Sequence, residues 1–395
     1  MMARLRALLR AEDGVSAAIV AIVFGSLLTG ALLTLVGDLG QAYVERRELQ
    51  NGADAAALSG ATNCAEAMVA GRVPLLPCGA VGDATSEVSP FSLANANASD
   101  GLHAITQLCA KNNGTAVDVA ACSDAAFSSC LAVPTGSSAL AAGAVPFRNY
   151  VKVRTRTLTG AADHPATLDP VFARLLDRDA TGLTLSACAH AAWGGPASQH
   201  MTLPVAMSRH CWDLVKAAGE FNPPPPYANP PSALEQSREF SLRMTQSTLS
   251  TDWRECALNL ESGAFGWLQS AAGEICRAGV SGAGDVLGKT GVSTTQDCKT
   301  ALNALVRTTP VTIAIFDTTT GTGSGTYFHI IGFAKFWITG YTLPVAGTYT
   351  PYLRTCPAGD KCLFGWFLEP ELIPTGAVDP GQTELFGIGT VSLVG

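Results

Sequence analysis

The hydrophobic pattern of the chain changes character along its length. Residues 15–36 carry no charged side chain, and twelve of them are Val, Ile, Leu or Phe. As a helix this run is about 33 Å long, enough to cross the ~30 Å hydrocarbon core of a bilayer. Those twelve side chains favour insertion by about 4–7 kcal/mol before the intervening Gly, Ser and Thr are set against them. The run continues into residues 41–61, where Ala, Leu, Glu, Gln and Arg predict further helix. Leu39, Ala42, Leu49, Ala53, Ala56 and Gly60 fall near one stripe, interrupted by Arg46. Such a stripe packs either on the chain's own domain or, as a stalk, on partner helices.

Beyond residue 62 the helical period breaks down. Residues 63–140 are rich in loop formers, with short helices expected at 101–111 and 117–130. At 147–158, Tyr150, Lys152, Arg154 and Arg156 alternate with Val151, Val153 and Thr155, the pattern of a half-buried strand. A short helix is expected at 170–178. A second strand follows at 183–193, with Leu183, Leu185, Ala187, Ala189 and Ala191 on one face. Residues 222–232, NPPPPYANPPS, read as a linker, because consecutive prolines favour extended backbone and exclude ladder bonding. Helices are expected at 235–244, 266–275 and 295–306, and strands at 310–316, 327–341, 361–369 and 389–394. The glycine-rich stretch 321–325 reads as the hairpin connection between the first two of these strands.

The fold class expected is therefore α+β: one transmembrane helix, a helical stalk, and a disulfide-tied extracytoplasmic domain with a mainly antiparallel sheet. The corresponding boundaries are a cytoplasmic N-terminus (1–14), the membrane helix (15–36), the stalk (37–62), an α+β region (63–221), the Pro-rich linker (222–232) and a region ending in strands (233–395).

Charge and cysteine usage orient the chain. Arg4, Arg6 and Arg10 precede the apolar run, whereas Arg46 and Arg47 lie further away on the other side, which predicts the N-terminus inside. Twelve cysteines all follow the run: Cys64, Cys78, Cys109, Cys122, Cys130, Cys188, Cys211, Cys256, Cys276, Cys298, Cys356 and Cys362. An even number without C-x-x-C knuckles points to disulfides in an oxidising compartment rather than to metal ligation. The apolar run is longer than a signal peptide core and lacks an A-x-A-like site, so a retained anchor is expected in the cytoplasmic membrane. A prepilin-type leader cut at Gly14 would want a Glu where Ile19 stands. The net charge of −7, with no basic patch, argues against a nucleic-acid partner.

Candidate chemistry is sparse. Residues 282–290, GAGDVLGKT, miss the phosphate-loop spacing by one residue from either glycine, so no nucleotide is expected and Lys289 reads as a surface residue. The stretch 279–283 lacks the last glycine of a nucleophile elbow. Asp317 opens an Asp-Thr-Thr-Thr-Gly stretch that lacks the serines of a metal-ion-dependent adhesion site. None of His103, His164, His190, His200, His210 and His329 belongs to a close ligand pair. No catalytic residue, metal or cofactor is therefore expected. An anchored hydrolase would require His190, Asp317 and a serine to meet in one cleft. Within the membrane run, Ala21, Gly25 and Thr29 are spaced four apart, as are Ser26 and Gly30, a spacing that lets helices approach closely.

The order of residues at 12–61 resembles a known family. Asp38-Leu39-Gly40, the stretch QAYVERRELQ at 41–50 and NGADAAAL at 51–58 are similar to the start of TadE/TadG-like proteins of the bacterial tight-adherence (Flp pilus) machinery. Further stretches are similar at 183–194, at 203–212, and at 315–317 with 327–336. The resemblance implies a non-enzymatic, inner-membrane-anchored component of pilus biogenesis. Its implied partners are the lipid bilayer and other pilus-assembly membrane proteins or pseudopilins that meet the N-terminal helix. The alternative is a membrane-tethered adhesin or binding domain with the same anchor. The von Willebrand A-type metal site of some relatives is not implied, because the serines are missing.

Overall fold

A computed structural model describes residues 2–69, 89–99, 103–112, 115–116, 130, 135–138, 143–158, 167–168, 182–244, 252, 254–256, 265–270, 276–281, 284–288, 296–321, 325–344, 346–373, 376–382 and 384–394. The chain divides into two compact units: Met1–Ala56, Asp83–Gln107 and Val153–Ala189 form the first, and Ala57–Gly82, Leu108–Lys152 and His190–Gly395 the second.

The anchor and the stalk are one helix, α1 (Met2–Val69). In the first unit its stripe becomes buried at Leu49, Ala53 and Ala56, all fully inaccessible. There α1 meets strands β5 (Tyr150–Thr157) and β6 (Ser186–Gly194). The Thr155 hydroxyl donates to Leu49 O at 2.9 Å, and the Gln50 amide donates to Cys188 O at 3.1 Å. The short helix α2 (Pro90–Ala96) is capped by Ser89. Just after it, Ser99 donates from N and Oγ to Glu48 Oε2. In the second unit the stripe continues through Ala57, Gly60, Ala61, Cys64 and Ala65, all buried. A Cβ on Gly60 would lie 3.1 Å from Val151 Cγ1, so the missing side chain lets the helix sit close to the strand. The small-residue stripe therefore packs on the chain's own strands from Leu49 onward. Upstream, Leu39 is 55 % exposed.

Two large sheets hold most of the described strands. The six-stranded sheet has the order β18 (Glu371–Ile373), β19 (Ile388–Leu393), β6, β5, β1 (His103–Asn112), β2 (Thr115–Ala116). The nine-stranded sheet runs β10 (Glu255–Cys256), β9 (Phe240–Arg243), β17 (Cys362–Phe367), β15 (Tyr327–Leu343), β14 (Val311–Thr320), β8 (Val205–Ser208), β11 (Phe265–Trp267). Strands β13 (Gly284–Leu287) and β16 (Gly347–Tyr349) also pair with β15. Two antiparallel two-stranded pairs complete the described set, β3 (Thr135–Ser138) with β4 (Gly143–Pro146) and β7 (Ser198–Met201) with β12 (Ala278–Ser281). Most pairings are antiparallel. The β9–β10, β8–β14 and β18–β19 pairs are parallel.

Helices α3 (Arg209–Ala218) and α5 (Gln296–Leu305) supply Cys211, Trp212, Val215, Cys298 and Leu302 to the same buried cluster as Leu242, Ile313 and Phe336 of the large sheet. Ser208 caps the start of α3, and Gly219 ends it in the left-handed conformation (φ 66°), which glycine adopts without a Cβ clash. The α+β class with a mainly antiparallel sheet is thus the observed one.

Three local expectations change. Residues 103–112 form strand β1 rather than a helix, because Leu108, Cys109 and Ala110 are buried in an interior position of the sheet, where pairing outweighs local propensity. The helix expected at 235–244 is only α4 (Ala233–Ser237), held by a Ser232/Glu235 capping box, before the chain turns into β9. Phe265–Trp267 is strand β11 paired with β8, not a helix start. Of the helix expected at 117–130 only Cys130 is described, as a bend, and the helix expected at 170–178 lies outside the described residues. The Pro-rich stretch 222–232 lies inside the second unit, where Tyr227 packs edge-on against Trp337 (4.9 Å between ring centroids) and Trp366 (5.4 Å).

Candidate functional site

The apolar part of α1 is uncovered. Ile19, Ile22, Phe24, Leu28 and Val36 are 56–70 % exposed. Side chains of this kind stay out of water only in lipid or against another protein. Ala21, Gly25 and Thr29 are exposed and Gly30 is half-buried. A Cβ on Gly25 would meet nothing within 4 Å. Two hydroxyls on this segment are satisfied by the helix itself: Thr29 donates to Gly25 O at 2.7 Å and Ser26 to Val23 O at 2.9 Å. Both can therefore enter hydrocarbon without leaving a donor unpaired. Among the described residues one helix, over Ala17–Met68, is long and apolar enough to cross a membrane.

The cysteines form the covalent frame beyond this helix. Cys211 is joined to Cys256, Cys276 to Cys298, and Cys356 to Cys362. Cys64, Cys109, Cys130 and Cys188 are also disulfide-bonded, and no described cysteine is free. Cys78 and Cys122 lie outside the described residues. The first bond ties α3 to the edge strand β10, and the second ties the start of α5 to Cys276, two residues before β12.

The polar residues considered for catalysis do not converge. His190 is 3 % exposed on β6 of the six-stranded sheet. Burial, followed by repulsion from Lys152, pushes its pKa down to about 4, so it is neutral at physiological pH. Asp317 sits on β14 of the other sheet, where its Oδ1 is 2.8 Å from His329 Nδ1 on β15. That pair ties the hairpin together, and the Thr318 hydroxyl donates to Asp317 Oδ1 at 3.2 Å. His200 and His210 are exposed, while the side chains of His103 and His164 and all of Lys289 lie outside what is described. Among the described residues no group of three or more His, Cys, Asp or Glu could hold a metal ion.

One concave site stands out in the second unit. It is a cleft of about 670 Å³ whose walls include Pro226, Tyr227, Arg307, Trp337, Tyr349 and Tyr352. The Pro-rich segment forms one wall. Tyr227 is held in place by its hydroxyl, which donates to Pro223 O and accepts from Trp366 Nε1 at 3.2 Å. Burial pushes the Tyr227 phenol up to about 12, so it remains protonated. Arg307 follows α5 with a positive φ of 56°. Its backbone N–H donates to Ile338 O, Nε to Thr339 O at 2.9 Å, and Nη2 to Thr350 O at 2.7 Å. The guanidinium lies over the Tyr352 ring at 3.8 Å and the Tyr349 ring at 5.0 Å, within cation–π range.

A buried carboxylate sets the far wall. Glu239 is fully inaccessible and accepts the backbone N–H groups of Tyr352 (2.9 Å), Leu353 (2.6 Å) and Arg354 (2.8 Å) together with the Thr339 hydroxyl. Arg354 returns a bond from Nε to Glu239 O at 3.0 Å. The loop that presents Tyr352 is therefore fixed from beneath. Sequence reading missed this cleft. Its one visible signal was the tyrosine within the prolines at 222–232, a stretch whose composition reads as a connection rather than a wall.

No curated protein and no solved structure matches the chain. Residues 14–63, all within α1, match the model of a family described as putative Flp pilus-assembly TadE/G-like.

Proposed function

We propose that this chain is a membrane-anchored, non-enzymatic component of Tad/Flp pilus biogenesis, acting in assembly or as a minor pilus-associated protein. The observation that carries the reading is a coincidence of position. The TadE/G-like match at 14–63 falls on the helix whose apolar stretch 17–33 is exposed. In this reading α1 crosses the cytoplasmic membrane with its N-terminus inside, and the disulfide-tied part lies on the oxidising side. The face carrying Ala21, Gly25 and Thr29 packs against the membrane helices of other assembly proteins or pseudopilins.

The test is electron microscopy of cells lacking the gene, with and without a complementing copy. Loss of pili on deletion and their return on complementation support the reading, and normal pili without the gene refute it. Complementation with Gly25→Leu separates the helix from the rest. Because nothing lies within 4 Å of a Cβ at this position, the variant should fold and insert normally yet fail to restore pili. Full restoration would rule out helix packing at Gly25. A second reading, a tethered binding domain using the same anchor, is favoured by the aromatic cleft of the second unit. It expects ligand binding by the chain in the absence of other pilus proteins.

A further inference from the structure

We propose that the cleft between the Pro-rich segment and the loop carrying Tyr349 and Tyr352 is a saccharide site, taking an oligosaccharide of a few sugar rings. Its volume of about 670 Å³ is in the range of small-ligand pockets, too small for a folded partner. The lining offers what a sugar ring needs. Tyr349, 38 % exposed, presents a ring against which the C–H face of a pyranose can lie, while Tyr352, sandwiched between Arg307 and Trp366, backs the arginine from below. Asn229 and Thr308, both exposed, add neutral polar groups at the rim. Arg307 spends Nε and Nη2 on two carbonyls and makes no hydrogen bond from Nη1 to a described residue, which leaves that edge for ligand hydroxyls. The lining contains no carboxylate, so beside Arg307 the cleft has room for an acidic sugar as well as a neutral one.

The same observations disfavour a peptide. Strand addition needs free main-chain groups along a wall, but Thr339 O and Thr350 O are taken by Arg307 and the N–H groups of Tyr352 to Arg354 by Glu239. A proline-rich ligand needs an open aromatic shelf, and the shelf formed by Trp337 and Trp366 is already filled by Tyr227. That internal segment is covalently tethered, so a free peptide would compete at a large disadvantage in effective concentration.

The proposal does not rest on the pilus reading and is tested apart from it. The full chain, in a detergent without a sugar headgroup, is applied to an array of neutral and acidic oligosaccharides. The tightest binder is then titrated by calorimetry against the wild type, Tyr349→Ala, Tyr349→Phe and Arg307→Lys, with decaproline as the competing probe. We expect binding to one oligosaccharide class, weakened about tenfold or more by Tyr349→Ala, the loss of one stacked ring. Tyr349→Phe keeps the ring and should keep most of the affinity, which separates stacking from a folding defect. Arg307→Lys should also weaken binding. The absence of any bound saccharide, affinity unchanged in Tyr349→Ala, or binding of decaproline instead would each overturn the proposal.

Discussion

Glu239 is the residue whose removal should be felt most sharply in the second unit. Glu239→Ala deletes the acceptor for three backbone N–H groups and one hydroxyl in a fully inaccessible position. Each buried donor left unpaired costs about 1–3 kcal/mol. Leu353, 57 % exposed, can turn its N–H to water, and removing a buried charge returns part of the loss. The net expectation is about 3–5 kcal/mol, the range for breaking a buried, hydrogen-bonded charge constellation by deleting one partner. Urea unfolding followed by tryptophan fluorescence should show the midpoint falling by on the order of 1–2 M at unchanged slope. Hydrogen exchange gives the local reading, with the amides of Tyr352, Leu353 and Arg354 losing protection before those of β15 and β17. A variant whose unfolding free energy stays within about 0.5 kcal/mol of wild type, the scatter of ordinary surface changes, with those amides still protected, would refute the view that this carboxylate holds the loop.

Three other outcomes follow from the packing. His190 has a folded pKa of about 4 against 6.5 unfolded, so below pH 6.5 the unfolded chain takes up a proton that the folded chain refuses, and stability falls until about pH 4. The loss between pH 7 and pH 5 is about 2 kcal/mol by linkage, and denaturation at the two pH values should show it for wild type and largely lose it in His190→Gln. Gly60→Leu drives a side chain into Val151 and should destabilise by about 1–3 kcal/mol in a thermal melt, whereas Gly25→Leu, which meets nothing, should leave the melt unchanged. Removing the Cys211–Cys256 bond, whose ends are 45 residues apart, should lower stability by about 4 kcal/mol, and removing Cys356–Cys362, 6 apart, by about 2 kcal/mol in paired Cys→Ser variants, if loop entropy dominates.

The parts of the fold that could be read from sequence were those with strong periodicity. The uncharged run is exposed and the Ala-rich stripe is buried from Leu49 onward, while in the alternation at 150–157 Val151, Val153 and Thr155 are buried as expected but Tyr150 and Lys152 on the other parity are buried as well. The β14–β15 hairpin was legible for the same reason. Strand β1 was not, because its residues Gln107 to Lys111 suit a helix locally and only the neighbouring strands decide otherwise. The anchor face could be proposed from spacing alone. The cleft could not, because it draws Tyr227, Arg307 and the β15–β16 pair carrying Trp337 and Tyr349 from three separate stretches, and no local pattern marks a residue for long-range convergence.

The unbroken course of α1 also fixes an angular phase within the first unit. Gly25 and Leu49 lie on one helix with no interruption, 24 residues apart. At about 100° per residue, the exposed Gly25 face is turned about 240° around the axis from the face that Leu49 presses onto the strands. A rotation of one face about the axis is therefore a rotation of the other. The register between what the anchor meets in the bilayer and what the domain presents is written in the number of residues between them, so the length of residues 37–48 is constrained even where their side chains touch nothing.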